Sequence, residues 1–283
     1  MRTKAFGLTA AIALLAVSVP TKPATAGTFY QDWNYGIDAF TDGSGGSQYE
    51  IKGIAIKETS DSIWVALTGG TPLAGTQDSQ ALGGSIGWGD LFFNFSGKDY
   101  KTANNAGDLF GIRFAVANDS QVGLGVYQNA KAISVASQNR GYGNIEQYYN
   151  SGYERTNTLG TDISTKSEAY SYFSKGSVGN VIGSGNKVGD VDILSLAQLQ
   201  GAGLNFNHFS ASGSQTIGFK FNKSTVKTGN YTASLFLECL NDGVTVKGEL
   251  NSVPEPTALS GLGVVAGALL FSNRRKLRRF LPA

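Results

Sequence analysis

Side chains that could carry out acid–base or nucleophilic chemistry are sparse in this chain of 283 residues. It has one histidine, His208, and one cysteine, Cys239. A serine hydrolase would have to use His208, but no Gly-x-Ser-x-Gly turn between a strand and a helix accompanies it. We therefore expect His208 to face solvent or to lie in a capped turn. One thiol cannot make an internal disulfide, so we expect Cys239 to be a buried small apolar residue, with an intermolecular bond as the alternative.

Paired carboxylates are harder to set aside, because a glycoside hydrolase needs only two acids across a cleft. Six glutamates are candidates for such a pair, and their spacing does not show which of them converge: Glu50, Glu58, Glu146, Glu154, Glu168 and Glu238. Glu238 adjoins Cys239 in a strand that we expect to be covered, so its pKa is a candidate for perturbation. A hydrogen-bonded glutamate with a structural role is the simpler interpretation. We predict no catalytic residue.

Two stretches offer oxygen ligands for calcium. They are Asp190-Val191-Asp192 and the loop that carries Asp38, Asp42 and Gly43. Neither has the twelve-residue spacing of an EF-hand, and turn-forming aspartates explain both. One histidine and one cysteine are too few for the usual structural zinc sites. We therefore predict no metal and no other cofactor, with calcium kept as the alternative.

Aromatic side chains could form platforms on which sugar rings stack. The three tryptophans are Trp33, Trp64 and Trp88. Tryptophans in strands are more often part of the core, because their large rings bury much apolar surface. Trp88 lies between Gly87 and Gly89, and we expect it to be the most accessible of the three.

The elements that would position these residues are predicted to be short strands. Apolar and polar residues alternate in "YEIKGIAIKE", "SIWVALTG" and "DLFFNFSG", and turn-forming residues bound each segment. We predict an all-β fold: a single antiparallel β-sandwich domain of jelly-roll type over residues 27–250. Helical pattern is confined to "GNIEQYYNSGYE" and to "DVDILSLAQLQG", where Asp192 would cap the helix and Gly201 would end it. Residues 176–189 are rich in glycine, and we expect them to form a loop.

The strand "YTASLFLECL" is predicted to be central. One face would carry Tyr231, Ala233, Leu235, Leu237 and Cys239, while Phe236 and Leu240 lie on the other. Apolar residues on both faces indicate a strand that is covered on both sides. The turn residues Asn241-Asp242-Gly243 then predict a hairpin to "GVTVKGEL".

The N-terminus reads as a secretory signal peptide over residues 1–26. Arg2 and Lys4 precede an apolar run, and Ala24-Thr25-Ala26 supplies the small residues that signal peptidase accepts before Gly27. We expect export through the Sec machinery and cleavage by signal peptidase, with an uncleaved N-terminal anchor as the alternative.

A second apolar stretch lies in residues 251–283. The motif Val253, Pro254, Glu255 and Pro256 is rigid and extended, since proline fixes its own φ and restricts the residue before it. An uncharged stretch follows, for which we predict a transmembrane helix over about residues 257–273. At about 1.5 Å per residue this helix is short for a hydrocarbon core of about 30 Å. The positively charged residues after this helix should stay on the cytoplasmic side, so the domain would lie on the opposite side of the inner membrane. These residues are Arg274, Arg275, Lys276, Arg278 and Arg279.

This order of proline motif, short apolar helix and basic end resembles the PEP-CTERM sorting signal of Gram-negative exosortase substrates. The resemblance covers about thirty residues and implies recognition by exosortase, a membrane-embedded cysteine transpeptidase. It also implies processing near Pro254-Glu255-Pro256, followed by release or by attachment at the cell surface. An ordinary C-terminal tail anchor would fit the hydropathy and the charges equally well.

The domain itself is similar to stretches of one group of exosortase-dependent surface proteins. The segments that carry this similarity are "WNYGIDAFTDG", "YEIKGIAIKE", "IGWGDLFFNFSG" and "LECLNDGVTVKG". That group has no assigned catalytic activity. The resemblance therefore implies a noncatalytic structural or adhesion protein of the cell surface or extracellular matrix. The alternatives are a lectin-like polysaccharide-binding domain and, less favoured, a secreted glycoside hydrolase.

Charge narrows the choice of partners. Without its two terminal segments the chain has 15 basic and 20 acidic residues, so the predicted domain carries a net charge of about −5. The predicted domain therefore lacks the net positive charge that is typical of nucleic-acid-binding proteins. The expected partners are exosortase, the export machinery, the inner membrane before processing, and an extracellular polysaccharide if the lectin-like alternative holds.

Overall fold

The computed structural model describes residues 28–40, 48–151 and 158–251. The predicted signal peptide with Ala24 and Ala26 lies outside the described residues. So do the sorting motif of Val253 to Pro256, the predicted membrane helix and the basic end. Within the described ranges, no helix is both long enough and apolar enough to cross a bilayer.

The described residues form fourteen strands and four α-helices. The strands are β1 (Thr28–Tyr30), β2 (Trp33–Ile37), β3 (Ile51–Glu58), β4 (Ser62–Gly69), β5 (Thr76–Gln77), β6 (Ser85–Ile86), β7 (Leu91–Asn94), β8 (Leu109–Arg113), β9 (Gly125–Ile133), β10 (Val181–Gly189), β11 (Asp192–Leu194), β12 (Gln215–Asn222), β13 (Gly229–Phe236) and β14 (Gly243–Leu250). The α-helices are α1 (Tyr100–Ala106), α2 (Ile145–Ser151), α3 (Lys166–Phe173) and α4 (Leu196–Gly201).

Twelve of the strands build two six-stranded sheets. The first has the order β1-β2-β3-β4-β12-β11 and the second the order β10-β9-β8-β7-β13-β14. The pairs within both sheets are antiparallel, and β5 and β6 form a small separate ribbon. The prediction of a mostly-β chain with large antiparallel sheets is confirmed.

One apolar core is shared by the two sheets. Ile54 and Val65 contribute from the first sheet, and Phe93 and Leu235 contribute from the second. The rings of Phe114 and Phe219 stack in this core with their centroids 4.4 Å apart. Burying such side chains stabilises the fold by roughly 1.5–3 kcal/mol each before the loss of chain entropy is counted.

Strand β13 is covered on both faces, as predicted. Tyr231, Ala233 and Leu235 belong to the core that the two sheets share, whereas Phe236 belongs to a second cluster on the other face of the same sheet. The hairpin to β14 is also present, with Phe236 paired to Gly243. Its loop spans 237–242, which is longer than a two-residue turn.

The second cluster lies under helices α1, α2 and α3. Side chains from each of them, such as Tyr100, Tyr148 and Phe173, are buried there. Helix α2 matches one of the two predicted helical segments, while α1 and α3 were not predicted. Helix α3 begins with a capping box in which Thr165 and Glu168 satisfy each other's backbone amides.

Two local predictions were wrong. Asp192 does not cap α4, because it begins β11 and the side chain of Ser195 forms the cap. Residues 176–189 are not all loop, because they contain β10. A Cβ at Gly183 would lie 2.7 Å from the side chain of Ile133 on β9. Glycine at this position allows close strand packing rather than a turn.

Candidate functional site

An open notch lies where the outermost parts of the two sheets meet. It has a volume of about 380 Å³ and is lined by residues of β1, β2 and β3 from the first sheet and of β13 and β14 from the second. We call it the edge notch. Its polar lining residues are Asp32, Asn34, Glu58, Tyr231, Glu249 and Asn251.

The hairpin of β1 and β2 forms one wall of the edge notch. Gln31 and Asp32 both have positive φ, at 50° and 64°, and make the two-residue turn that a tight hairpin requires. Phe29 on β1 pairs directly with Asn34 on β2, so their side chains share one face of the sheet. Phe29 is 66% exposed although it is a large apolar residue.

Asn34 lies at the base of this wall and is buried. Its Nδ2 donates to the carbonyl oxygen of Lys247 at 2.8 Å and to the hydroxyl of Tyr231 at 3.4 Å. These acceptors fix the orientation of the amide, because a flipped amide would turn Oδ1 toward the Lys247 carbonyl. Oδ1 of Asn34 has no hydrogen-bond partner among the described residues.

Carboxylates surround the rest of the edge notch. Glu58 forms an ion pair with the buried Lys223 and accepts hydrogen bonds from Asn251. Asp32 is well exposed and lies 3.8 Å from the ammonium group of Lys57. Glu249 is exposed near the end of β14. Three carboxylate residues therefore line the notch, whereas Oδ1 of Asn34 is buried beneath its surface.

A separate group of buried carboxylates ties loops together and does not line the notch. Oε1 of Glu238 accepts from the backbone N–H of Asp119 at 2.6 Å, and Oε2 accepts from that of Gly87 at 2.7 Å. Burial raises the pKa of Glu238 to about 8 against the effect of these two donors, and the neighbouring Asp119 adds to the rise. Glu238 is thus hydrogen-bonded, as the simpler interpretation expected.

Asp90 has a similar role. It accepts from the backbone N–H of Ile182 at 2.6 Å and from Nδ2 of Asn118 at 2.7 Å, and Ser120 also donates to it. Burial raises the pKa of Asp90 to about 6, although these hydrogen bonds act in the opposite direction. Such buried acids fix loop geometry, since each carboxylate satisfies backbone or amide donors that would otherwise be left unpaired.

The other candidate glutamates that the structure describes do not line the notch. Glu146 pairs with Lys175 at 3.4 Å and Glu168 caps α3. Glu50 is buried at the end of the segment before β3, and Glu154 lies outside the described residues. Of the five that the structure describes, only Glu58 lines the edge notch.

The expectation that Trp88 is accessible was wrong. Its side chain is fully buried, and its Nε1 donates to the carbonyl oxygen of Thr71 at 3.0 Å. Glycine flanks Trp88 for a different reason, which is that a side chain would not fit. A Cβ at Gly89 would lie 2.3 Å from the carbonyl oxygen of Asn180. The flanking glycines reflect crowding of backbones around a core tryptophan. Trp33 is also fully buried, so neither ring offers a sugar platform.

His208 is exposed, as predicted. Its ring stacks on Tyr30 with a centroid distance of 3.8 Å and an interplanar angle of 9°. Cys239 is buried, also as predicted, and burial raises the pKa of its thiol to about 12. Neither side chain lines the edge notch.

The two stretches considered for calcium are occupied by other interactions or lie outside the described chain. Asp190 pairs with Lys187 at 2.8 Å, and Asp192 lies 4.0 Å from Lys220. Asp38 accepts a hydrogen bond from Thr158, while Asp42 and Gly43 are outside the described residues. The described ranges hold no group of three or more side chains arranged to bind a metal.

Comparison with known proteins gives no relative for this chain: no family model, no curated protein and no solved structure matches it. Inference about function therefore rests on the sequence and on the edge notch. Sequence reasoning named Glu58 but missed Phe29, Asn34 and Glu249. Phe29 and Asn34 belong to one hairpin, but Glu249 lies more than 200 positions further along the chain, and no local pattern marks positions that meet only where two sheets end.

Proposed function

We propose that the chain is an exported exosortase substrate that acts at the cell surface or in the extracellular matrix as a noncatalytic structural or adhesion protein. The observation that carries this proposal is the order of three features after the last strand. Val253 to Pro256 comes first, an uncharged apolar stretch follows, and the basic group of Arg274 to Arg279 comes last. Exosortase, signal peptidase and the Sec machinery are the proposed partners during export. The precursor would be anchored in the inner membrane until processing.

The fold is compatible with a surface domain. We propose that the two sheets are the layers of a β-sandwich, which their shared core supports. Most neighbouring strands in each sheet are consecutive in the chain, which is a meander and differs from the Greek-key connectivity of the predicted jelly roll. Strand β14 ends at Leu250, three positions before Val253. A sorting motif placed so close to a strand would be presented next to folded protein.

The noncatalytic part of the proposal is supported by how the carboxylates are used. Glu238 and Asp90 are committed to backbone donors, and Glu58 is held by Lys223 and Asn251. A glycoside hydrolase needs an acid that exchanges a proton with the substrate and a second carboxylate across the scissile bond. Glu58 is poorly suited to act as the proton-exchanging acid or as the second carboxylate, because both of its carboxylate oxygens already have hydrogen-bond or ion-pair partners. We propose no cofactor.

A polysaccharide-binding surface domain is the second candidate. The edge notch favours it, since an exposed aromatic ring beside acceptor groups is a common arrangement for holding sugars. In that case an extracellular polysaccharide would be a partner.

The sorting proposal is tested by replacing Pro254, Glu255 and Pro256 with alanine in the full chain. We expect the precursor to remain in the inner-membrane fraction and the shorter processed form to disappear. The matched control is Ser252→Ala, which adjoins the motif without altering it. Expression in a strain without exosortase should reproduce the result of the triple variant. Unchanged processing of that variant would overturn the proposal.

A further inference from the structure

The chain changes from buried to exposed where β14 ends, yet it stays fastened. Leu250 is 1% exposed, pairs with Gly229 on β13 and belongs to the core that the two sheets share. Asn251 is exposed, but it donates three hydrogen bonds to the carboxylate of Glu58. Two come from its backbone N–H, at 3.0 and 3.2 Å, and one comes from its side-chain amide at 3.1 Å. We call these three hydrogen bonds the Asn251 latch.

The carboxylate that accepts these hydrogen bonds is itself held in place. Glu58 ends β3, and its Oε1 pairs with the ammonium group of Lys223, whose side chain is buried. The backbone N–H of Lys223 donates in turn to the carbonyl oxygen of Asp61 at 2.8 Å. Since β3 belongs to the first sheet and β14 to the second, the latch fastens the end of one sheet to the other.

The latch lies close to the proposed processing site. Pro254 is only three positions after Asn251, and a chain spans at most about 3.6 Å per residue. A closed latch therefore keeps Pro254 within about 11 Å of the folded domain. Asp32 and Glu249 line the edge notch together with Asn251 and add side chains around this point. An enzyme that must surround the chain at Pro254 has little room between its active site and the domain.

We propose that the Asn251 latch regulates processing of the precursor, and that exosortase acts on chains in which Asn251 has been released from Glu58. This inference rests on the proposed sorting function and deepens it by naming what regulates the processing site. The rate of processing then follows the fraction of chains in which the latch is open. Opening does not require the domain to unfold, because Asn251 is exposed whereas Leu250 stays in the core.

The test is a pulse-chase measurement of precursor and processed form, made with the full chain in cells that contain exosortase. Asn251→Asp replaces the amide donor with a carboxylate that Glu58 repels, and Asn251→Pro removes the amide and the backbone N–H together. We expect processing to be about threefold faster for Asn251→Asp and up to about tenfold faster for Asn251→Pro. The reason is that each lost hydrogen bond to a charged group raises the open fraction.

The matched controls are Ser252→Asp and Ser252→Pro. They place the same charge and the same ring one position nearer the motif and leave Asn251 in the chain. Neither control should accelerate processing. The processed domain of each Asn251 variant should still melt cooperatively, which separates release of the latch from loss of the fold.

A spacer tests whether reach is what the latch limits. Six glycine and serine residues inserted between Asn251 and Ser252 leave the latch residues in place and move the motif away from the domain. We expect this insertion to accelerate processing of the unaltered chain. It should add little to Asn251→Asp, because both changes remove the same limit and coupled changes do not add.

Two results would overturn the inference and leave the sorting proposal standing. One is equal processing rates for the unaltered chain and both Asn251 variants. The other is a spacer that multiplies the rate of Asn251→Asp as much as it multiplies the rate of the unaltered chain. A chain that is not processed in any of these forms would instead overturn the sorting proposal, and the inference with it.

Discussion

Asn251 is held by Glu58 through both its backbone and its side chain. The backbone N–H donates to Oε1 at 3.0 Å and Nδ2 donates to Oε2 at 3.1 Å. The same carboxylate pairs with Lys223, whose side chain is buried. The end of β14 is therefore fastened to β3, and the chain leaves the sheet at a fixed point beside the edge notch.

Removing Glu58 should destabilise the fold because the buried ammonium group of Lys223 would lose its ion-pair partner. We expect Glu58→Ala to lower the free energy of unfolding by about 2–4 kcal/mol, since a buried ion pair that loses one partner leaves the other uncompensated. The double variant Glu58→Ala, Lys223→Met should recover part of this loss. Urea denaturation measures both values.

An exposed ion pair provides the control for that experiment. Lys98 and Asp108 lie 2.8 Å apart on the surface. Asp108→Ala should cost at most about 1 kcal/mol, because solvent screens the pair. The losses in free energy of unfolding of Glu58→Ala and of Lys223→Met alone can be added and compared with the loss of the double variant. If the sum equalled the loss of the double variant, the two residues would not be coupled and the prediction would be wrong.

Glu238 should make stability depend on pH. Its pKa is raised from an ordinary value of 4.5 to about 8 in the folded chain, chiefly by burial. An acid with a raised pKa binds its proton more tightly in the folded state, so its favourable contribution is complete below pH 4.5 and is lost as pH rises to 8. Glu238→Gln removes this titration but cannot accept both backbone N–H groups, since its amide nitrogen is not an acceptor.

We therefore expect Glu238→Gln to be less stable than the unaltered chain at low pH by about 1–3 kcal/mol. The difference in free energy of unfolding between the two proteins should become smaller between pH 5 and pH 9, because the unaltered chain loses the contribution of Glu238 over this range. Urea denaturation at several pH values gives the difference directly and cancels the separate titration of Asp90. A gap that widens with pH would show that the folded chain prefers ionised Glu238.

Cys239 should be unreactive in the native chain. The thiol is buried and its pKa is raised to about 12, so almost none of it is thiolate at neutral pH. We expect no reaction with a thiol reagent over hours under native conditions and full reaction of one thiol after unfolding. A disulfide-linked dimer on a non-reducing gel of native protein would contradict this.

The strands could be predicted because their signal is local. In β3 and β13 the side chains of one face alternate with those of the other, and a period of two is visible in the sequence itself. The sequence also predicted that Leu237 and Cys239 face the core, although both belong to the 237–242 loop and not to β13. The order of the strands within each sheet could not be predicted, since pairs such as β4 with β12 bring together residues about 150 positions apart.

Glycine misled the sequence reasoning at two places for one physical reason. A glycine can mark a turn, where positive φ is needed, or a close approach, where a Cβ would not fit. At Gly183 and Gly89 the second cause applies, as the contacts with Ile133 and with the Asn180 carbonyl show. The edge notch was missed for a different reason: Phe29 and Asn34 lie in one sheet and Glu249 in the other, and they line one notch only because the two sheets come together there.

Gly89 offers a direct test of the close-approach explanation. A Cβ there would lie 2.3 Å from the carbonyl oxygen of Asn180 and 2.6 Å from that of Phe236, and neither backbone group can move aside as a side chain could. We expect Gly89→Ala to cost about 2–4 kcal/mol, since overpacking forces the backbone to shift. Gly201→Ala is the control, because nothing lies within 4 Å of its Cβ and alanine favours the helix at the end of α4. Thermal melts should place the control at or above the unaltered chain. A Gly89→Ala protein as stable as the unaltered chain would mean that the segment around Trp88 has room for a side chain.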